Sequence, residues 1–108
     1  MEKVAVYGLG RVGIPLALFF AEKGYEVIGV DIDRVKLSKL EMGEMPFIEP
    51  GTPELLKKNI GNRFQVTDNS RYAAENSEYN VLTLGTPVDD NFNPSFKQIN
   101  SVLADIIP

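Results

Sequence analysis

A chain of 108 residues with 44% hydrophobic and 24% charged side chains has the make-up of one soluble globular domain, large enough to bury a core of modest size. Its net charge of −4 argues against a nucleic-acid partner or an anionic membrane surface, because phosphate contacts need clustered Lys and Arg. With no Cys and no His, disulfides are excluded, a zinc site is disfavoured, and the usual nucleophile and general base are missing, so no catalytic residue and no metal ligand is assigned. The opening Met1-Glu2-Lys3 runs directly into a strand-like segment without a signal-peptide h-region, and no apolar stretch is long enough to span a membrane; a cytoplasmic protein is expected.

Val4 to Tyr7 is a short β-prone run stopped by Gly8, the pattern of a buried parallel strand. Gly10 to Lys23 then predicts a helix with a broad apolar face, closed by Gly24 at its C′ position; Pro15 near its first turn should cost a hydrogen bond or a slight kink. Glu26 to Val30 is a second strand ending at Asp31, and Asp33 caps a second helix that runs to about Met42 and stops at Gly43. Glu44 to Gly51 holds two prolines and is a loop; Thr52-Pro53 is an N-cap followed by an N1 proline, opening a short helix to Ile60. Phe64 to Thr67 alternates as a third strand, Ser70 to Asn76 is a short helix, and Val81 to Leu84 is a fourth strand halted at Gly85-Thr86-Pro87. Ser95 and Gln98 form a capping box for a last helix carrying Phe96, Ile99, Val102, Leu103 and Ile106. Alternating strands and helices specify an α/β fold: a doubly wound parallel sheet of the Rossmann type, here over residues 1–108 as one domain.

Gly8-Leu9-Gly10-Arg11-Val12-Gly13 spells Gly-x-Gly-x-x-Gly, a weak signal alone. Here it follows a strand, opens a helix, and is followed eighteen residues after Gly13 by Asp31 at the end of the next strand, which is the context that the dinucleotide-binding fingerprint requires. Gly8 allows the tight turn, Gly10 lets a pyrophosphate approach the backbone, and Gly13 lets the helix pack against the sheet; the helix N-terminus favours the anion. Asp31 should accept hydrogen bonds from the adenine ribose and repel a 2′-phosphate, with Asp33 adding negative charge, so NAD is expected over NADP even though Arg34 lies within reach of a 2′-phosphate. Arg11 faces either the cofactor phosphates or water. Lys36, by pattern a solvated surface lysine, stands in a first helical turn where a cation is disfavoured, which hints at a ligand. Gly85-Thr86-Pro87-Val88-Asp89 ends a strand at the sheet edge where α/β proteins bind ligands, although an ordinary strand-ending turn explains it equally. Glu49-Pro50-Gly51 has no chemistry that the residues alone supply.

The series Gly-Leu-Gly-Arg-Val-Gly-Ile-Pro-Leu-Ala, Val-Ile-Gly-Val-Asp, Phe-Ile-Glu-Pro-Gly and Gly-Thr-Pro-Val-Asp resembles the UDP-glucose/GDP-mannose dehydrogenase family from Val4 to the last helix. The resemblance implies the NAD-binding front of an enzyme that oxidises the C6 hydroxyl of a UDP-sugar to a carboxylate. Two NAD are used in turn, with a thiohemiacetal on a cysteine. It further implies that the glycine loop with Leu9, Arg11 and Val12 holds the pyrophosphate, that Asp31 and Lys36 hold the adenosine ribose, and that Leu84, Gly85, Thr86, Pro87 and Val88 line the cofactor. Departures are Arg11 where the family usually has Tyr, Ser95 after Pro94 where it has an acid, and Glu78-Tyr79 where it has Ala-Asp. The cysteine, the sugar-binding domain and the helices of a homodimer would follow Pro108, so these residues alone are expected to bind NAD without turnover. The spelling leans toward enzymes of UDP-N-acetyl-hexosamines such as UDP-N-acetylmannosamine. Three other classes share parts of the pattern. A stand-alone NAD-sensing regulatory module, as in potassium transport systems, would not be expected to carry Glu-Pro-Gly and Thr-Pro-Val-Asp. A methyltransferase spaces its glycine loop differently. Hydroxyacyl or phosphogluconate dehydrogenases have a similar front domain.

Overall fold

The computed structural model describes residues 2–83, 100 and 102–104. Its spine is a parallel sheet in which β1 (Lys3–Tyr7) pairs with β2 (Glu26–Val30) on one side and β4 (Tyr79–Leu82) on the other, while β3 (Phe64–Thr67) pairs with β2, giving the order β3-β2-β1-β4. The chain therefore builds outward from β1 in one direction and then crosses back to its other flank. That reversal opens a crevice beyond the C-terminal end of β1, the place where open α/β sheets bind ligands. This is the doubly wound Rossmann architecture that the alternation of elements predicts.

β1 shows why helices cover both faces. Val4 and Val6 point into a core shared with Ile14, Ala17 and Leu18 of α1 (Gly13–Glu22), Leu37 and Leu40 of α2 (Arg34–Glu41), and Leu56 of α3 (Thr52–Asn59). The alternate residues Ala5 and Tyr7 point to the opposite face, where Ile28, Val30, Ala73 of α4 (Ser70–Glu75) and Val102 form a second core. The period-two alternation of a strand thus gives β1 a buried side chain at every position after Lys3. Val102 stands in helical backbone at 102–104, consistent with the last predicted helix; the rest of that helix, from Phe96 to Ile99 and at Ile106, lies outside the described residues.

Several boundaries differ from the sequence expectation. α1 begins at Gly13 and not at Gly10, because the glycine-rich segment forms a turn first. Pro15 is then the third helical residue, and the bonds on either side of it, from Ile14 N–H to the Gly10 carbonyl and from Leu16 N–H to the Val12 carbonyl, are both made. The cost is the single bond that proline cannot donate. The end of α1 is as expected: Gly24, with φ of 101°, and Tyr25 donate to the Ala21 and Phe20 carbonyls in a Schellman arrangement. Asp33 caps α2 by accepting from Val35 and Lys36 N–H. Thr52 is not an N-cap acceptor: it is the first helical residue, buried, and its hydroxyl donates to the Glu49 carbonyl at 2.6 Å. β4 begins two residues earlier than expected, since Tyr79 and Asn80 pair with Val4 and Ala5. No described helix is long and apolar enough to cross a membrane.

Candidate functional site

The Gly-x-Gly-x-x-Gly turn crosses the C-terminal end of β1, held from both neighbouring strands. Gly8, with φ of 95°, makes the bend that no side-chain-bearing residue enters without strain, and its N–H donates to Val30 carbonyl at 2.8 Å. From the β4 side, the Thr83 hydroxyl lies 2.6 Å from the Gly8 carbonyl oxygen. Gly13 closes the turn against the first glycine: a Cβ there would run into the Gly8 carbonyl oxygen and come within 2.7 Å of Thr83 Oγ1. Gly10 is the opposite case, for a Cβ there would meet nothing within 4 Å. One glycine is needed for packing, the other borders open space.

Leu9 turns its side chain inward from the glycine turn. Its side chain is wholly buried and seats against Gly29 of β2, where an added Cβ would lie 2.9 Å from Leu9 Cδ2. Its N–H donates to Asp31 Oδ2 at 2.9 Å. Leu9 is thus the anchor that ties the turn to β2, leaving Arg11 and Val12 at the surface, with Val12 68% exposed. Arg11 is solvent-exposed, and its guanidinium lies 5.0 Å from the centroid of the Phe47 ring, in the loop before Glu49-Pro50-Gly51.

Among the described residues, the N–H groups of Gly10, Arg11, Val12 and Gly13 have no hydrogen-bond partner. α1 has no side-chain cap and no acid in its first turn. These four donors and the positive end of the helix dipole are what an anion would find there.

Asp31 stands beside them. Its Oδ1 accepts from Asp33 N–H at 2.9 Å, and its Oδ2 accepts from Leu9 N–H and from Lys36 Nζ at 3.2 Å. Burial pushes the carboxyl up, but the N–H groups of Asp33 and Leu9 and the Lys36 ammonium outweigh it, holding Asp31 below the ordinary carboxylate value and ionised at neutral pH. A carboxylate has about four acceptor positions, so three partners leave room for one more, and two if Lys36 moves aside. Lys36 is no solvated surface lysine: both members of the pair are mostly buried, 24% and 11% exposed. The structure brings together Gly8, Leu9, Gly10, Arg11, Val12, Gly13, Asp31 and Lys36 at one crevice. Leu84, Gly85, Thr86, Pro87 and Val88 lie outside the described residues. Sequence reasoning missed Thr83; its one signal was a hydroxyl in an apolar run two residues before the strand-ending Gly85, just past the strand next to β1.

A dinucleotide fits this donor set: an anion-seeking turn with open space at Gly10 and an ionised acceptor for hydroxyls one strand away. Comparison with known proteins agrees. The model of the UDP-glucose/GDP-mannose dehydrogenase family, NAD binding domain, matches residues 2–108. GDP-mannose 6-dehydrogenase of Pseudomonas putida is 33% identical over 105 residues, 96% of this chain and 24% of that protein. UDP-glucose 6-dehydrogenase of Bacillus subtilis is 37% identical over 89 residues, 82% of this chain and 19% of that protein. A ternary complex of GDP-mannose dehydrogenase from Pseudomonas aeruginosa superposes with a TM-score of 0.89 at 31% identity, over 95% of this chain and 24% of that one. The UDP-N-acetyl-mannosamine dehydrogenase of Staphylococcus aureus gives 0.87 at 28% identity, over 99% and 26%. The chain spans about a quarter of the length of the relatives it matches most fully. Their names cover GDP-mannose, UDP-glucose and UDP-N-acetylmannosamine, so the similarity does not single out one sugar. The chain belongs to the UDP-glucose/GDP-mannose dehydrogenase family and corresponds to that family's NAD-binding domain.

Proposed function

We propose that residues 1–108 make one NAD-binding domain of a longer nucleotide-sugar dehydrogenase, one that oxidises the C6 hydroxyl of a UDP-sugar to a carboxylate while two NAD are reduced in turn. The observation that carries this reading is the set of unpartnered N–H groups from Gly10 to Gly13 beside the ionised Asp31. In this reading those N–H groups hold the cofactor pyrophosphate, with Gly10 leaving the approach open. Asp31, oriented by Leu9 and Asp33 N–H, receives the adenosine ribose hydroxyls, and Lys36 moves from the carboxylate toward the same ribose. Leu84 to Val88, Thr86 among them, line the cofactor. When bound, NAD supplies the acceptor for hydride; these residues bind and orient it and hold no proton for the reaction. The chain has no Cys, so the thiohemiacetal step falls to residues outside these 108. The whole enzyme is proposed to be a cytoplasmic homodimer.

Titration calorimetry of the chain with NADH and NADPH tests the reading. NADH should bind more tightly than NADPH, because Asp31 faces the ribose and would meet a 2′-phosphate with like charge. Equal or tighter binding of NADPH, or no binding of either, contradicts it.

A further inference from the structure

Two cations flank the head of α2, and each is already paired with a carboxylate. Lys36 pairs with Asp31 at 3.2 Å. Arg34 pairs with Asp68, just past the end of β3, at 2.6 Å. Residues two apart on an α-helix are about 200° apart around its axis, so the two side chains leave α2 on nearly opposite sides. Lys36 turns toward β1 and the glycine turn. Arg34 turns toward β3, where it and Asp68 border a hollow also lined by Leu37, Val66 and Thr67.

Arg34 starts α2 only three residues after Asp31. An arginine near this acidic residue is the group that receives the 2′-phosphate in dinucleotide sites that take NADP, and its planar fork suits a phosphate well. With Arg34 drawn to β3, the ribose side of the crevice presents a carboxylate with no uncommitted guanidinium beside it. We propose that Asp68 is a cofactor-selectivity residue: its ion pair with Arg34 keeps that guanidinium from the adenosine 2′ position. This rests on the NAD-site reading above and extends it to a residue just past the end of a different strand, outside the set assigned to the cofactor.

The pair is exposed, 84% at Arg34 and 37% at Asp68. Its hold is therefore weak, and the effect of releasing it is bounded by the range for exposed pairs. Calorimetric titrations with NADH and NADPH on the unaltered chain, Asp68→Asn, Arg34→Ala and the double variant test the proposal. Asp68→Asn should tighten NADPH binding by about three- to fivefold, the upper end for an exposed pair, and leave NADH binding unchanged. Arg34→Ala alone should leave both unchanged, and the double variant should return NADPH to its original affinity. An Asp68→Asn chain with the original NADPH-to-NADH ratio overturns the proposal. So does a gain that survives in the double variant, which would trace it to the lost charge of Asp68 and not to Arg34. Failure of the unaltered chain to bind NADH overturns the site reading itself, and the selectivity role with it.

Discussion

Replacing Gly10 and Gly13 separately with alanine pulls cofactor binding and folding apart within one six-residue motif. At Gly13 the new methyl would collide with the Gly8 carbonyl oxygen and press to 2.7 Å from Thr83 Oγ1. The main obstacle is backbone and cannot rotate away, so the cost belongs at the top of the overpacking range, about 3 kcal/mol. At roughly 4–8 °C per kcal/mol for a chain near this size, the ligand-free protein should melt about 12–24 °C lower. At Gly10 the methyl meets nothing within 4 Å and the backbone is outside the left-handed region, so the ligand-free melting temperature should hold or rise slightly, by the roughly 0.4–1 kcal/mol that a Gly to Ala change takes from the unfolded chain's entropy. That methyl does stand where the pyrophosphate would approach. For the unaltered chain, NADH at about 100 times its Kd adds about 2.7 kcal/mol and a corresponding upward shift in melting temperature; Gly10→Ala should lose most of that shift. Thermal melts with and without NADH read both effects. A Gly10→Ala chain that keeps its full NADH-induced shift refutes the phosphate-cradle argument, and a Gly13→Ala chain that melts like the original refutes the packing argument.

Asp31→Ala should weaken NADH binding by about 1.5–3 kcal/mol, the range for hydrogen bonds to a charged group, measured by calorimetry. Because the folded pKa of Asp31 is depressed, the ionised form persists below the ordinary value of 3.8; the stability it contributes is fully present above that value and is lost as pH falls from there through the folded pKa. NADH affinity should accordingly show no titration from Asp31 between about pH 5 and about pH 8. Asn59→Ala should destabilise the chain by about 1–3 kcal/mol in chemical denaturation, since the buried Asn59 amide joins Glu22 of α1 at 3.1 Å to the Leu55 carbonyl of α3 at 2.9 Å. Incubation with NAD and UDP-glucose, GDP-mannose or UDP-N-acetylmannosamine should give no sustained rise in NADH absorbance with these 108 residues alone.

Local signals accounted for most of the fold. Gly24 at the end of α1 and Asp33 at the start of α2 act through single-residue geometry, and both stand where the sequence pattern put them. β4 was displaced because its start is set by pairing with β1, a long-range contact between Val4 and Tyr79 that no local pattern encodes. Thr52 was misjudged for a related reason: the αL backbone of Gly51 brings its hydroxyl back onto Glu49, where it donates. The glycine turn and Asp31 were legible because their spacing carries the chemistry. The inward turn of Leu9 depends on the hollow at Gly29 twenty residues on, and the role of Thr83 depends on β4 lying beside β1. Arg11 over Phe47 and Arg34 on Asp68 likewise join residues whose proximity only the fold creates.

The central claim is that the cofactor seats on the turn between β1 and α1, and amide chemical shifts during an NADH titration test it at residue level. The amides of Gly10, Arg11, Val12 and Gly13 should move most, because they are the unpartnered donors, with Leu9 and Asp33 following through their bonds to Asp31. The amides of Gly61, Asn62 and Arg63, beside the N-terminal ends of β2 and β3, should stay in place. Shifts concentrated at that opposite end of the sheet, or a saturating titration that leaves Gly10 to Gly13 unmoved, would contradict the account.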